Sequence, residues 1–301
     1  VHDGAALAAG SCWMPRRHRW RMLAAPFQRR SDMGRRIVVT GATGTVGRRV
    51  SARLLAQGAD VLALSSRPDA QVPGTPAARV QQADLRDPAA LRRAFDGADA
   101  VFLLLPLVPD KPALARTALQ AAQAAGVRHV LRLSAIGADA ASDNVFARVQ
   151  GGIDDAVAAS GIAWTLLRPA GFMQNYATYG AAMIRAGCYF AAHADAAQAM
   201  VDADDIAACA AAVLTDPAAH AGAVYTPTGA RAWTHAQAMA LIGQAIGRTV
   251  AYVPIDDDAA RAALQGMGMP EPLRSWMVAL GPLVRSGLGH EPTGDVQRLT
   301  G

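Results

Sequence analysis

Three glycines spaced three apart, Gly41, Gly44 and Gly47, follow the apolar run Ile37-Val38-Val39-Thr40 and open a helical stretch that runs from Val46 to Gln57. A buried strand, a glycine turn and a helix in that order can hold a diphosphate. Gly41 permits the tight turn, Gly44 lets the backbone approach the pyrophosphate, and Gly47 lets the helix pack closely on the strand. The N–H groups at the start of the helix then face the negative phosphates. An ordinary glycine-rich strand-to-helix turn is the plainer alternative.

A dinucleotide site selective for NAD places an acid after the second strand, where it accepts a hydrogen bond from the ribose 2′-hydroxyl. Here that stretch reads Ser65-Ser66-Arg67 and offers no carboxylate. Arg67 can pair with a 2′-phosphate and the serine hydroxyls can donate to it, so the expected cofactor is NADP(H). The alternative for Arg67 is a solvated side chain in the turn before Pro68.

These residues need a framework, and the chain from Arg36 onward supplies one by alternating short β-rich runs with helical stretches. Strands are expected at Ile37 to Thr40, Val61 to Leu64, Val80 to Gln82, Ala100 to Leu104, His129 to Leu133 and Trp164 to Leu167, with helices at Val46 to Gln57, Pro88 to Phe95, Pro112 to Ala125 and Gly151 to Ser160. The strands are mostly continuous apolar runs, as strands covered on both faces are. The expected fold class is therefore α/β, a Rossmann-type doubly wound parallel sheet. Later the pattern changes: 172–200 looks irregular, Asp205 to Leu214 reads as a helix, Ala223 to Thr226 as a strand, and Thr234 as the cap of a helix reaching Ile246. A small C-terminal substrate lobe is expected, formed mainly by 171–200 and 226–301.

Composition narrows the functions. Of the net charge of +5, four units lie in the first 32 residues, where six arginines face two aspartates, so the rest carries only +1. A protein that grips nucleic acid needs cations on its folded body to neutralise phosphates, so no direct nucleic-acid partner is expected. The stretch 1–33 is expected to be a disordered or non-native leader, because Met33 stands just before the first strand. No unbroken apolar run approaches the ~18 residues of a membrane span, and no membrane insertion is expected. Cys12, Cys188 and Cys209 are odd in number and widely spaced, which argues for a reducing, cytoplasmic setting over a disulfide framework. The seven histidines are scattered without an H-E-x-x-H pattern, so no metal is expected.

The G-x-x-G-x-x-G spacing resembles that of atypical and extended short-chain dehydrogenases/reductases, and the downstream segments narrow the likeness. Gln82-Ala83-Asp84-Leu85-Arg86-Asp87-Pro88, Asp99 to Leu104, Ala125 to Val130, Arg132-Leu133-Ser134-Ala135, Trp164 to Pro169, Phe172-Met173-Gln174-Asn175 and Val201 to Ala207 all look like the NmrA-like family. The likeness spans about Arg35 to Gly301. It implies cofactor contacts from Gly41, Thr43, Gly44, Thr45, Val46 and Gly47, from Ser66 and Arg67, from Asp84 and Leu85, and from Leu104 and Pro106. Asp84 resembles the family's acid that bonds the adenine amino group, although an Asp at a turn is also a cap. The family usually continues a little past a Leu-Thr-Gly such as Leu299-Thr300-Gly301, so a short extension is expected there.

Short-chain reductases rely on a Tyr with a Lys four residues on. The matching positions here hold Phe146 and Gln150, so alcohol oxidation by that route is not expected. Family members that reduce quinones pass hydride without the pair, since the product is aromatic and positioning carries most of the reaction. The resemblance therefore implies an NADPH-dependent oxidoreductase acting on a quinone or similar activated carbonyl. Ser134 and Asn175 are the candidate catalytic donors, and Phe172 and Tyr176 the rings that stack on the substrate. Each also has a local alternative: Ser134 ends a strand, Asn175 caps a turn, and the rings fill a lobe core. Gln150 and Gly152 stand where the family carries a basic and an acidic residue, leaving Asp154, and Asp204 stands where an Arg is common. These departures fit a second reading, a non-catalytic NADP(H)-sensing regulator. A sugar-nucleotide epimerase is the weakest alternative, for want of the Tyr and Lys.

Overall fold

Seven parallel strands form the spine of the computed structural model, which describes residues 34–301 apart from 73 and 76–78. They are β1 (Arg36–Val39), β2 (Asp60–Ser65), β3 (Arg79–Gln82), β4 (Ala100–Leu103), β5 (His129–Leu133), β6 (Ala163–Leu167) and, at the far edge, β8 (Ala223–Tyr225). Their order is β3-β2-β1-β4-β5-β6-β8. The chain winds outward from β1 to β3 and then returns to lay β4 on the other side of β1, so a crevice opens at the carboxyl ends of β1 and β4. The expected doubly wound α/β sheet is present.

Period-two alternation explains why both faces are apolar. Val38, Val101, Leu103 and Val130 point to one face, where helices α2 (Pro88–Phe95), α3 (Lys111–Ala124) and α4 (Val145–Ala158) bury Leu91, Phe95, Leu114 and Val157 against them. Ile37, Val39, Phe102 and Leu131 point to the other, under α1 (Gly47–Ala56) and α7 (Ala203–Thr215), which contribute Val50, Leu54, Ile206 and Leu214. Small residues on α7, including Ala207, Ala210 and Ala211, keep that helix close.

Two sequence expectations need correction. Helix α4 begins at Val145, six residues before Gly151, because the Asn144 side chain accepts from the backbone N–H groups of Phe146 and Ala147 and caps it. Gly151 sits mid-helix where α4 crosses the preceding loop: a Cβ there would lie 2.1 Å from the backbone nitrogen of Ala140. The stretch 172–200 is also more regular than expected. It contains α5 (Gln174–Ala177), α6 (Ala181–Arg185) and β7 (Cys188–Ala191), and β7 pairs in parallel with β9 (Ala251–Pro254). Between them α8 (His235–Ile246) carries the capping box that Thr234 announced, with Gln237 bonding back. Helices α9 (Asp257–Gly266), α10 (Leu273–Val278), α11 (Leu280–Arg285) and α12 (Asp295–Thr300) complete the chain. The 1–33 leader lies outside the described residues.

Candidate functional site: a dinucleotide crevice and an apolar cavity

At the carboxyl end of β1, Thr40 holds the crevice open by bridging two strands. Its hydroxyl donates to the Leu104 carbonyl and accepts from the Leu104 N–H, both at 2.8 Å. Gly41 follows with φ +62°, where a Cβ would lie 2.6 Å from Leu104 Cδ2. Gly47 is tighter still, since a Cβ would fall 2.2 Å from the Gly41 carbonyl oxygen. Gly44 donates its N–H to that oxygen at 3.0 Å and otherwise faces open space. Helix α1 has no side-chain cap and no acid in its first turn. Its N–H groups and positive dipole end are thus left for an external anion, the role expected of Gly41 through Gly47 with Thr43, Thr45 and Val46.

The edge of the crevice is equally open. The Ser65 hydroxyl accepts from the Arg67 N–H at 3.1 Å, which turns Ser66 and Arg67 outward, both exposed. Among the described residues the Arg67 guanidinium forms no ion pair, so it is available to a phosphate. Asp84 spends Oδ1 on the Arg86 N–H at 2.8 Å, the local turn bond foreseen as its plainer role, and remains exposed. Leu85 is half-buried against the core, Leu104 is half-buried, and Pro106 is exposed. These residues fit an NADP dinucleotide: a bare helix N-terminus for the diphosphate and an unpaired Arg for the 2′-phosphate.

Beyond β4, a buried ionic cluster occupies the carboxyl ends of β5 and β6. Arg132 is fully buried and ion-paired with Asp154 of α4, itself 1% exposed. Arg168 donates to Asp154 Oδ2 at 2.8 Å. Ser134 donates its hydroxyl to the same oxygen at 2.9 Å and accepts from Arg132 at 2.8 Å. Gln150 accepts from Arg132 at 2.8 Å and from Lys111 at 3.3 Å. Burial and the neighbouring Arg132 bring Lys111 down to about 8. Ser134 therefore has its one proton committed to Asp154. Phe146 and Gln150 lie one turn apart on α4, and Gln150 points into this cluster.

The lobe side holds the remaining candidates. Phe172 packs against the core beneath α1 and α7 and pairs with Val201 through an isolated β-bridge. Asn175 bonds the Phe172 carbonyl through its backbone N–H, while its carboxamide has no partner among the described residues. Tyr176 borders a cavity of about 550 Å³ between α5, α6 and α8, lined also by Met173, Met200, Trp233, Ala238 and Ile242. That size suits a small-molecule ligand, and the lining is almost wholly apolar. Tyr176 also bonds His235 Nδ1 at 2.7 Å, and His235 Nε2 meets His193 Nδ1 at 2.7 Å. Burial raises the phenol of Tyr176 above its ordinary range and pushes both imidazoles down to about 4. Neither histidine stood out in the sequence, and Arg132 and Asp154 did so only in separate family-like segments and not as a pair; beside His235 the local signal was the capping Thr234.

Such a crevice defines an NAD(P)H-binding Rossmann protein. A family model described as NAD(P)H-binding matches residues 41–217. The chain is 38% identical over 243 residues to an NAD(P)H azoreductase of Xenophilus azovorans, covering 80% of this chain and 84% of that one. Its structure superposes on an NADPH-dependent quinone oxidoreductase of Escherichia coli complexed with NADPH with a TM-score of 0.77 at 30% identity, covering 88% and 94% of the two chains. The negative transcriptional regulator NmrA in complex with NAD shares the fold, with a TM-score of 0.70 at 17% identity over 89% and 91%. The chain belongs to the NAD(P)H-binding family, and it has the fold that the NmrA-like resemblance implied. Among the described residues no helix is long and apolar enough to cross a membrane.

Proposed function

We propose that the protein is an NADPH-dependent oxidoreductase that reduces a quinone or similar activated carbonyl, acting in the cytoplasm. The observation that carries this reading is the apolar cavity bordered by Tyr176 in a chain whose dinucleotide crevice is built for a 2′-phosphate. When bound, the dinucleotide supplies a hydride; everything else falls to the chain's own residues. Gly41 to Gly47 hold the diphosphate on the bare end of α1. Ser66 and Arg67 hold the 2′-phosphate, and Asp84, with Leu85, Leu104 and Pro106 beside it, bounds the adenine side. The substrate lobe consists mainly of 171–200 and 226–301, and its cavity takes the flat apolar body of the acceptor against the ring of Tyr176, while Phe172 packs behind it into the core beneath α1 and α7.

Asn175 is the freer of the two catalytic candidates, because among the described residues its carboxamide has no partner and can donate to a carbonyl. Ser134, tied to Asp154 and Arg132, shapes the crevice by its fixed position. With Phe146 and Gln150 in place of a Tyr–Lys pair, the chain has no phenolate route for alcohol oxidation at that helix.

The supporting experiment follows NADPH oxidation by the purified protein across a panel of quinones and secondary alcohols, with cofactor binding measured in parallel. Quinone-dependent oxidation with inert alcohols is the expected result. Tight NADPH binding without turnover of any acceptor favours instead an NADP(H)-sensing regulator, a reading supported by the commitment of the Ser134 proton within the protein.

A further inference from the structure

Reduction of a quinone needs a proton as well as a hydride, and the groups expected to provide one are missing or engaged. Phe146 has no proton to give, and Ser134 donates to Asp154. Tyr176, by contrast, lines the apolar cavity and begins a chain of side chains running from that wall toward the surface. Its hydroxyl meets His235 Nδ1, and His235 Nε2 meets His193 Nδ1. His235 is buried on α8, whereas His193, beyond β7, is half-buried and keeps some contact with solvent.

Resting on the reductase reading, we infer that Tyr176, His235 and His193 form a proton relay in which Tyr176 protonates the reduced acceptor and His193 draws the replacement from solvent.

Hydrogen-bond bookkeeping constrains the chain to two states. Each contact joins one donor to one acceptor, and with both imidazoles kept neutral by burial their tautomers must match. In the loaded state His193 Nδ1–H donates to His235 Nε2, and His235 Nδ1–H donates to the Tyr176 oxygen, leaving the phenolic proton for the cavity. Hydride addition converts a quinone to its hydroquinone monoanion. The Tyr176 O–H bond then breaks as its proton passes to the anion's oxygen, the His235 Nδ1 proton moves to Tyr176, the His193 Nδ1 proton moves to His235 Nε2, and solvent protonates His193 Nε2. Quinone, NADPH and one proton become hydroquinone and NADP⁺, and the protein ends neutral with the chain reversed.

The surroundings favour this concerted form. Burial holds the phenol well above its ordinary range and both imidazoles at about 4, so an isolated phenolate or imidazolium is costly. Tyr189 and Tyr252 pack against His235, at centroid distances of 5.1 and 5.3 Å, and exclude water from the middle of the chain. The outer end faces Asp257 and Arg285, which pair with each other at 2.8 Å and so impose little net charge on His193.

The test uses the full chain, Tyr176→Phe and His193→Gln, with NADPH and two acceptors: 1,4-naphthoquinone, which takes a hydride and a proton, and a cationic triphenylmethane dye, which takes a hydride alone and becomes neutral. Both variants are expected to lose about a hundredfold in kcat with the quinone, the range for removal of a positioned acid, and His193→Gln, which does not line the cavity, is expected to stay within about twofold with the dye. Added imidazole should restore much of the rate in His193→Gln. An independent readout needs no cofactor: imidazole ¹⁵N spectra at neutral pH should show both histidines neutral, and Tyr176→Phe should change the tautomer of His193 as well as that of His235. Unchanged quinone turnover, or equal losses on both acceptors without imidazole rescue, overturns the relay. If the parent binds NADPH yet reduces neither acceptor, the reductase reading falls, and the spectra decide the chain alone: linked tautomers uphold it and independent ones overturn it.

Discussion

Replacing Asp154 with alanine is expected to be the most damaging single change near the crevice. Asp154 is 1% exposed and neutralises Arg132, which is wholly buried; it also takes hydrogen bonds from Arg168 and Ser134. After Asp154→Ala, Arg132 keeps its bonds to the Gln150 side chain and backbone carbonyl, at 2.8 and 3.2 Å, but its charge faces only the cationic Lys111 and Arg168. Arg168 is 28% exposed and can turn toward water, so most of the cost falls on Arg132. Breaking a buried pair from one side costs about 3–5 kcal/mol. Against a total stability of about 5–15 kcal/mol, that loss leaves the variant marginal. Asp154→Asn should lose less, because an amide oxygen still accepts from Ser134. Combining Asp154→Leu with Arg132→Met should recover most of the stability, since the fully buried Arg132 charge is removed together with its partner. Urea unfolding followed by circular dichroism measures all three. An Asp154→Ala variant within about 1 kcal/mol of the parent, or a double variant no better than the single, would refute the reasoning.

Arg67→Ala should erase most of the preference for NADP(H) over NAD(H), a loss of about 1–3 kcal/mol for a charged hydrogen bond; calorimetric titration with both cofactors checks it. Gly44→Val should fold normally yet lose dinucleotide affinity, because its Cβ meets only the Gly41 oxygen at 3.3 Å, whereas Gly47→Ala, 2.2 Å from that oxygen, should also lower the melting temperature. Acid should destabilise the fold. His129, His193 and His235 are each held at about 4 by burial, against an ordinary 6.5, so the unfolded chain binds protons first. Stability is then full above about 6.5 and drains away as the pH falls toward 4, each histidine contributing a slope of up to ~1.4 kcal/mol per pH unit. Urea midpoints between these limits test this, and His129→Asn should reduce the slope by about one proton's worth.

The glycine turn after β1, the parallel sheet and the NAD(P)H-binding class were legible because each depends on neighbours in sequence. Gly41, Gly44 and Gly47 lie within one turn and one helix start, the strand faces follow a period of two, and Ser66-Arg67 is read directly after β2. The NmrA-like resemblance added the list of cofactor contacts on the same local motifs. The start of α4 was misplaced because the apparent helix pattern begins at Gly151, while a single Asn144 cap sets the true beginning. Pairing of β7 with β9 was invisible for a different reason: two four-residue strands more than fifty positions apart meet only once α6 and α8 bring them together. The same holds for chemistry. Tyr176 and His235 stand 59 positions apart, and His193 and His235 stand 42 apart; Arg132, Asp154 and Arg168 come from β5, α4 and the end of β6. Local sequence thus determined the glycine turn and helix start after β1, whereas packing between elements decided which side chains meet in hydrogen bonds and buried ion pairs, because those depend on distances that only the folded chain sets.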